Sequence, residues 1–282
     1  MPLVNMSELL WKAQLGRYAV GSFSVANMEM VQGIIRAAEE TQSPAIIQIA
    51  EVRLKNSPLE YIGPLMVAAA ESSDMPIAVH FDHGKTQEKI TQALDIGFTS
   101  VMFDGSHLPF KENMEMSAKI REVASDYAAD TECEIGCVGG SEDGSEDIAM
   151  NCSDPAEAAE FCKTVDMDAI AVAIGNAHGN YKSTPKLRFD ILQKIEQAVD
   201  VPLVLHGGTG IGAEGFKKCI ELGICKINIA TATFDSVEQQ VRKAYEQGLI
   251  KGYYDLQSAE TEGAYLNAMK HIEIFGCAGK AY

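Results

Sequence analysis

Three histidines in this chain are each followed by glycine at the point where an apolar run ends. They are His83, His178 and His206, in the segments HFDHG, GNAHGNYK and LHGGTG. Short apolar runs rich in β-branched residues are typical of β-strands, so each imidazole is expected where a strand passes into a loop. Three imidazoles from three strand ends can converge on one divalent cation and leave a position open for substrate. That is the ligand number of a catalytic zinc site rather than of a closed structural one.

The glycines after the second and third histidines indicate a further kind of chemistry. Gly179 and the run Gly207–Gly210 carry little or no side chain. Backbone N–H groups in such segments can approach an anion closely. A metal site and an anion site are therefore expected next to each other.

Strand-like runs alternate with helical segments along the chain. The expected strands are Tyr18–Phe23, Pro44–Ile49, Pro76–Phe81, Ser100–Phe103, Glu132–Val138, Ala169–Ile174, Pro202–Leu205 and Cys225–Ile229. The expected helices between them are Met28–Thr41, Leu59–Glu71, Thr86–Asp95, Phe110–Asp126, Pro155–Thr164, Phe189–Gln197, Ala213–Leu222 and Thr233–Gln247. Eight such units predict a single α/β domain over residues 1–282. We expect a (β/α)8 TIM barrel with an extra C-terminal helix at about Thr261–Phe275.

In a barrel of this kind the chemistry lies at the C-terminal ends of the strands. His83 follows the third expected strand, His178 the sixth and His206 the seventh. The loops after the seventh and eighth strands, Gly207–Gly210 and Asn228–Thr231, lie where this fold usually binds phosphate. The segment Gly139–Asp154 is polar, glycine-rich and too long for an ordinary connection, so we expect a mobile active-site loop there.

Composition excludes several classes of partner. The formal net charge of −17 argues against nucleic acid and anionic membranes. It does not argue against a phosphorylated small molecule, because local N–H donors, a lysine and a metal can bind an anion inside an acidic protein. The seven cysteines form no Cys-x-x-Cys pair, and the run Met1–Trp11 lacks the features of a signal peptide. We expect reduced thiols in a cytoplasmic protein without a membrane span.

These motifs resemble those of the class II, metal-dependent ketose-bisphosphate aldolases. Their order is His-x-Asp-His-Gly, Asp-Gly-Ser-His, Glu-x-Glu-Ile-Gly-x-x-Gly-Gly, Gly-x-x-His-Gly-x-Tyr, His-Gly-Gly-x-Gly and Asn-Ile-Ala-Thr. The resemblance runs from Gly21 to Lys280. The chain length and Ala230 look more like the tagatose-bisphosphate branch than the longer fructose-bisphosphate branch.

The resemblance implies a role for each matching residue. It implies that His83, His178 and His206 bind catalytic Zn²⁺, and that Asp104 and Glu134 hold an alternative or second site for a divalent or monovalent cation. Asp82 would exchange a proton with the aldehyde oxygen, and Glu142 would take the proton of the donor. The residues implied around the donor phosphate are Gly179, Lys182, Gly207, Gly208, Thr209, Asn228 and Thr231.

The residue types suit an aldol cleavage without the analogy. Such a reaction must stabilise an enediolate, which a Lewis-acidic cation does, and one carboxylate must remove a carbon-bound proton. A Schiff-base lysine is the rival mechanism. Asp104 could equally serve a turn, and Glu142 competes with Asp143, Glu146 and Asp147.

Two further histidines are expected outside the metal site. We expect His80 to pack or to order the site through a hydrogen bond, and His271 to be solvated on the last helix. Neither position follows the strand-end histidine-glycine pattern of the three candidate ligands.

The acceptor side departs from the family pattern at several positions. Ser24 and Ala26 stand where asparagine is common, and Ala50 where serine is common. The aldehyde could therefore carry a phosphate, a carboxylate, a sulfonate or only hydroxyls. We expect reversible cleavage of a ketose phosphate to dihydroxyacetone phosphate and an aldehyde, by a homodimer or homotetramer. The alternatives are a non-catalytic barrel subunit that supports a partner aldolase, and a metal-dependent hydrolase on the same fold.

Overall fold

A computed structural model describes residues 2–140, 149–180 and 185–282 as eight parallel strands that close into a barrel. The first strand pairs with the second and also with the eighth, which closes the ring. Every strand is buried along its whole length, as parallel strands covered by helices are. The strands are β1 Val20–Ser24, β2 Ala45–Ala50, β3 Ile77–Gly84, β4 Ser100–Phe103, β5 Asp130–Ile135, β6 Ala169–Val172, β7 Leu203–Leu205 and β8 Ile224–Ile229.

Helices surround the barrel in alternation with the strands, which confirms the predicted TIM barrel and its extra C-terminal helix. The α-helices are α1 Met6–Gly16, α2 Met28–Thr41, α3 Leu59–Ser72, α4 Gln87–Ile96, α5 Phe110–Asp126, α6 Pro155–Thr164, α7 Phe189–Glu196, α8 Ala213–Glu221, α9 Thr231–Glu246 and α10 Tyr253–Phe275. A short 3₁₀ helix, Glu51–Lys55, follows β2. None of the helices in the described ranges is both long and apolar enough to cross a membrane.

The sequence pattern misses α1 and places some boundaries wrongly. The N-terminus of α1 is capped from far along the chain, since Asp130 Oδ2 accepts a hydrogen bond from the Ser7 N–H at 2.6 Å. Such a tertiary cap leaves no local signature. The last helix begins at Tyr253 rather than near Thr261, and β5 begins two residues before Glu132.

Polar side chains alternate along several strands and share the interior of the barrel. The pairs His80 and Asp82 on β3, Glu132 and Glu134 on β5, and Lys226 and Asn228 on β8 are each two residues apart and buried. Residues at this spacing lie on one face of a strand. The barrel interior near its C-terminal end is therefore polar, while the apolar core lies between the strands and the helices.

The expectation that His271 is solvated is wrong. Its ring is only 4% exposed and lies against Phe216 and Phe275, with ring centroids 6.1 and 5.5 Å away. Asn267, His271 and Phe275 are spaced by four residues, so they share the face of α10 that packs on the barrel. The Nδ1 atom lies 2.8 Å from the Asn267 carbonyl oxygen and donates to it. Burial lowers the pKa of His271 to about 4.

This buried histidine predicts a specific loss of stability in acid. The folded pKa of about 4 is below the ordinary 6.5, so the unfolded chain binds the extra proton first as pH falls through this window. We expect His271 to cost about 3 kcal/mol of unfolding free energy between pH 7 and pH 4. In urea unfolding without metal, His271→Gln should remove this share of the pH dependence. His107→Gln, at an exposed position, is the control. Parallel plots of unfolding free energy against pH for the wild type and both variants would contradict the assignment.

Candidate active site

The structure brings the three predicted histidines together at the C-terminal end of the barrel. Ring centroids of His83 and His206 are 4.6 Å apart, and those of His83 and His178 are 4.9 Å apart. One ring nitrogen from each of the three lies within 4.8 Å of the others. The three ring nitrogens are thus close enough to share one ion.

An irregular backbone turns two consecutive residues of β3 toward this site. Successive side chains of a strand normally point to opposite faces. His83 has a left-handed φ of 45°, and the pairing of β3 with β4 shifts register between Phe81 and Gly84. Asp82 and His83 therefore both contact the same cluster, through Asn228 and His206 respectively. A left-handed histidine is strained, and such strain concentrates at functional positions.

The short contact with Glu132 indicates which nitrogen of His206 carries the proton, although the Asn228 amide nitrogen also lies 3.2 Å from the same Nε2 atom. Nε2 lies 2.7 Å from Oε1 of Glu132. Burial alone would raise the pKa of Glu132, but the Lys226 ammonium and the His206 hydrogen bond outweigh it and hold that pKa below its ordinary range. The ionised carboxylate can only accept, so Nε2 donates and Nδ1 keeps a lone pair. That Nδ1 atom lies 2.9 Å from Nε2 of His83.

His83 is oriented in the same manner by Asp104. Its Nδ1 atom lies 2.7 Å from Asp104 Oδ2. Although burial opposes it, the hydrogen bond from His83 holds the pKa of Asp104 below its ordinary range, so Nδ1 donates and Nε2 keeps a lone pair. The two nitrogens that face each other at 2.9 Å can share a proton or can both be directed at one cation. The donor set therefore fits a divalent cation.

Asp104 and Glu134 form a second group with His83. One ligand atom from each lies within 4.8 Å of the others. Oε2 of Glu134 is buried without a hydrogen-bond partner among the described residues and lies 3.6 Å from Nδ1 of His206. Burial and the neighbouring Asp104 raise the pKa of Glu134 well above its ordinary value. Asp104 also accepts a hydrogen bond from the Ser106 N–H at 3.1 Å, so it serves the turn as well.

Asn176 links the loop that carries His178 to His206. Its Nδ2 atom donates to the His206 carbonyl oxygen at 3.0 Å, and its Oδ1 accepts from the Ile174 N–H at 2.7 Å. The His178 N–H donates to the Gly139 carbonyl oxygen at 2.7 Å. The sequence pattern assigned no role to Asn176, although it lies two residues before a candidate ligand.

Asp82 is fully buried and held from two sides. Its Oδ2 accepts from Nε2 of Gln48 at 2.9 Å, and its Oδ1 accepts from Nδ2 of Asn228 at 3.0 Å. His80 orders the same layer, with Nδ1 2.9 Å from the Ser100 hydroxyl. Gln48 belongs to none of the sequence motifs. A polar residue inside the apolar run of β2 was the available signal.

The predicted phosphate residues of the last two βα loops lie side by side. The Gly208 N–H donates to the Asn228 carbonyl oxygen at 3.3 Å, and the Thr209 hydroxyl accepts from the Ala232 N–H at 3.0 Å. Helix α9 begins at Thr231 rather than at Thr233, so its N-terminus lies at the same rim, with the Thr233 N–H donating to the Ala230 carbonyl oxygen at 2.9 Å. A helix N-terminus of this kind favours an anion. Gly179, the predicted phosphate residue after β6, has a left-handed φ of +76°, which favours glycine at this position.

Two predicted site residues lie outside the described residues. These are the proposed proton acceptor Glu142 and the proposed phosphate ligand Lys182. Both remain predictions from the resemblance.

Gly207 brings the loops of His178 and His206 into contact. Its φ is +62°, and a Cβ atom there would lie 2.2 Å from the Ala177 carbonyl oxygen. We expect Gly207→Ala to push the two histidines apart and to weaken zinc binding at least about tenfold, measured by competition with a chelator. Gly212→Ala is the matched control, because a Cβ there meets nothing within 4 Å. Equal zinc affinity in both variants would contradict this role.

Comparisons with known proteins agree with this geometry. The family model described as "Fructose-bisphosphate aldolase class-II" matches residues 4–280. A fructose-bisphosphate aldolase of Geobacillus stearothermophilus is 40% identical, with 100% of this chain and 99% of that protein covered. A fructose-bisphosphate aldolase of Staphylococcus epidermidis is 38% identical over 90% of each chain. The crystal structure of the YdjI aldolase from Escherichia coli K12 superposes with a TM-score of 0.89 at 32% identity, covering 99% of this chain and 100% of that one.

The family match extends over almost the whole chain and over the rim where the histidines meet. Family members cleave ketose bisphosphates and generally depend on zinc, which the donor set here is suited to bind. No comparison distinguishes the tagatose branch from the fructose branch, so that detail stays a prediction. This chain is an aldehyde-lyase that belongs to the class II fructose-bisphosphate aldolase family.

Proposed function

We propose that this enzyme reversibly cleaves a ketose bisphosphate to dihydroxyacetone phosphate and an aldehyde, with fructose bisphosphate as the first substrate to test. A relative that matches the whole chain is named fructose-bisphosphate aldolase. The observation that carries the proposal is the convergence of three histidines beside a buried aspartate and two glycine-rich loops at one rim. Tagatose bisphosphate differs only in stereochemistry and remains the second candidate.

We propose that His83, His178 and His206 hold the catalytic Zn²⁺. Asp104 and Glu134, with His83, would hold a second cation or an alternative position of the first. When bound, the ion supplies a Lewis acid beside the carbonyl and hydroxyl oxygens of the donor. The neutral histidines leave most of its charge available to those oxygens.

The protein's own carboxylates are proposed to move the protons. Asp82 receives the hydroxyl proton of the leaving fragment during cleavage and returns it to the aldehyde oxygen during condensation. Glu142 exchanges the carbon-bound proton of the donor. A general acid–base group of this kind contributes about 10²–10⁴-fold to a rate. Gln48 and Asn228 support the assignment, because they hold both oxygens of Asp82 in fixed positions.

The donor phosphate is proposed to lie between the loops that follow β6, β7 and β8. Backbone N–H groups and hydroxyls there, with one lysine, supply donors without a large local positive charge. The proposed ligands are Gly179, Lys182, Gly207, Gly208, Thr209, Asn228 and Thr231. The contacts that hold the β7 and β8 loops side by side, Gly208 to Asn228 and Ala232 to Thr209, support this position.

The organisation of the protein is also a proposal. We propose that residues 1–282 form one domain, since a single apolar cluster reaches from α1 to the last residues. We propose a homodimer or homotetramer that works in the cytoplasm. Seven free cysteines support a reducing compartment.

The proposal is tested by turnover of the purified protein alone. Zinc-loaded enzyme is incubated with fructose or tagatose bisphosphate, and triose phosphate and inorganic phosphate are followed separately. Release of triose phosphate supports an aldolase and excludes the non-catalytic subunit. Release of inorganic phosphate without triose phosphate would indicate a hydrolase, and no product from either sugar would reject both substrates.

A further inference from the structure

A chain of buried hydrogen bonds joins the candidate metal ligand His206 to the candidate acid–base residue Asp82. From His206 it passes through Glu132 to the ammonium of Lys226, and then through Asn228 to Asp82. The successive contacts measure 2.7, 2.8, 2.7 and 3.0 Å. Lys226 is the middle of this chain and, like Glu132, is 0% exposed.

The Lys226 ammonium selects which oxygen of Glu132 faces His206. Nζ lies 2.8 Å from Oε2 and so binds one carboxylate oxygen. The other oxygen, Oε1, accepts from Nε2 of His206. Because Nε2 then carries the proton, Nδ1 of His206 is left with its lone pair toward His83.

The same ammonium fixes the orientation of the Asn228 amide. An ammonium only donates, so the atom at 2.7 Å from it must be the amide oxygen. The amide nitrogen then donates to Asp82 at 3.0 Å, and it also lies 3.2 Å from Nε2 of His206. In the reversed orientation the amide oxygen would oppose the Asp82 carboxylate, and two acceptors would repel each other.

We propose that Lys226 is a positioning residue that orients His206 and Asp82 together, so that metal binding and proton transfer depend on one buried cation. The inference rests on the proposed roles of His206 and Asp82. Lys226 is proposed to touch neither substrate nor metal. Its two short contacts to Glu132 and Asn228 also separate it from the Schiff-base role, which needs an amine available to a carbonyl.

Lys226→Met tests the inference, because methionine keeps the length of the side chain without its charge. We expect zinc affinity, measured by chelator competition, to fall about 10- to 100-fold, as it does when a partner of a metal ligand is lost. At saturating zinc, we expect cleavage to fall at least about tenfold further than proton exchange on dihydroxyacetone phosphate, since exchange is assigned to Glu142 and cleavage needs Asp82. Lys218→Met, at an exposed position on α8, is the matched control.

A second variant separates positioning from simple charge balance. Lys226→Met leaves the Glu132 carboxylate buried without its cation, which could prevent folding. The double variant Lys226→Met/Glu132→Gln removes that charge, while the amide oxygen it introduces can still accept from His206. We expect the double variant to fold and to bind more zinc than Lys226→Met. Its cleavage at saturating zinc should stay at least about tenfold below wild type, because Asn228 still lacks its donor.

Three outcomes would overturn the inference. One is a double variant with wild-type zinc affinity and cleavage, which would leave Lys226 with charge balance only. Another is an equal fall of cleavage and exchange in the zinc-saturated double variant. A third is inactivation by borohydride with dihydroxyacetone phosphate that Lys226→Met abolishes. A wild-type protein without exchange would instead reject the proposed function, and the zinc-affinity comparison would still test Lys226.

Discussion

His206→Ala is expected to lose both zinc and activity. His206 supplies the ring nitrogen that lies 2.9 Å from His83, and its loss leaves two of the three candidate histidines. We expect zinc affinity to fall at least about 100-fold, because a ligand itself contributes more than its supporting partners do. Cleavage should then be undetectable at ordinary zinc concentrations. Metal content after dialysis and chelator competition measure the effect.

A matched control distinguishes ligand loss from loss of a buried histidine. His271→Gln also removes a buried imidazole, but from α10 and outside both candidate metal groups. It should keep the zinc content of the wild type. A zinc-loaded, fully active His206→Ala protein would contradict the ligand assignment.

Asp82→Asn is expected to separate the two halves of the reaction. Asparagine keeps the shape of the side chain but cannot take up a proton, so cleavage should fall about 10²–10⁴-fold. Zinc content should hold, because Asp82 belongs to neither candidate metal group among the described residues. Proton exchange on dihydroxyacetone phosphate should also persist, since Glu142 is the proposed base for that step.

The two amides that donate to Asp82 must also respond to this substitution. Gln48 and Asn228 each donate to one of its oxygens, and an asparagine offers only one oxygen to the two donors. One neighbouring amide must therefore turn in the variant. Comparison of the cleavage rate with the exchange rate at saturating zinc is the measurement. Equal losses in both would show that Asp82 supports the metal or the donor rather than the aldehyde.

The fold and the candidate metal ligands are visible in the sequence because their signals are local. A histidine followed by glycine at the end of an apolar run defines His83, His178 and His206, and strand–helix alternation places all three at one rim. The barrel, its strand order and the meeting of these residues are confirmed by the structure. The substrate roles of these residues stay predictions.

The features that the sequence did not predict depend on contacts far apart in the chain. The cap of α1 comes from Asp130, 123 residues beyond Ser7. The buried face of α10 that includes His271 depends on packing against the barrel, and a histidine on a helix gives no sign of that. Strand alternation alone predicts that Asp82 and His83 point to opposite faces. The left-handed backbone of His83 breaks this alternation.

The buried polar residues that support the site could be recognised only in part from the sequence. Glu132 and Lys226 are charged residues inside strand-like runs, each two positions before a predicted site residue. That spacing places them on the same face as Glu134 and Asn228. This spacing was a signal in the sequence that the interpretation of the motifs did not use, and which carboxylate meets which ammonium depends on barrel closure.

Proton exchange on dihydroxyacetone phosphate, with and without a chelator, is the decisive measurement for a zinc-dependent aldolase that uses this donor. It follows release of label from the donor carbon and needs no choice of aldehyde, so the altered acceptor side does not affect it. We expect exchange by the zinc-replete protein, its loss on chelation and its return when zinc is added back. Absence of exchange in a zinc-replete protein would contradict the proposed donor and the phosphate-site assignments with it.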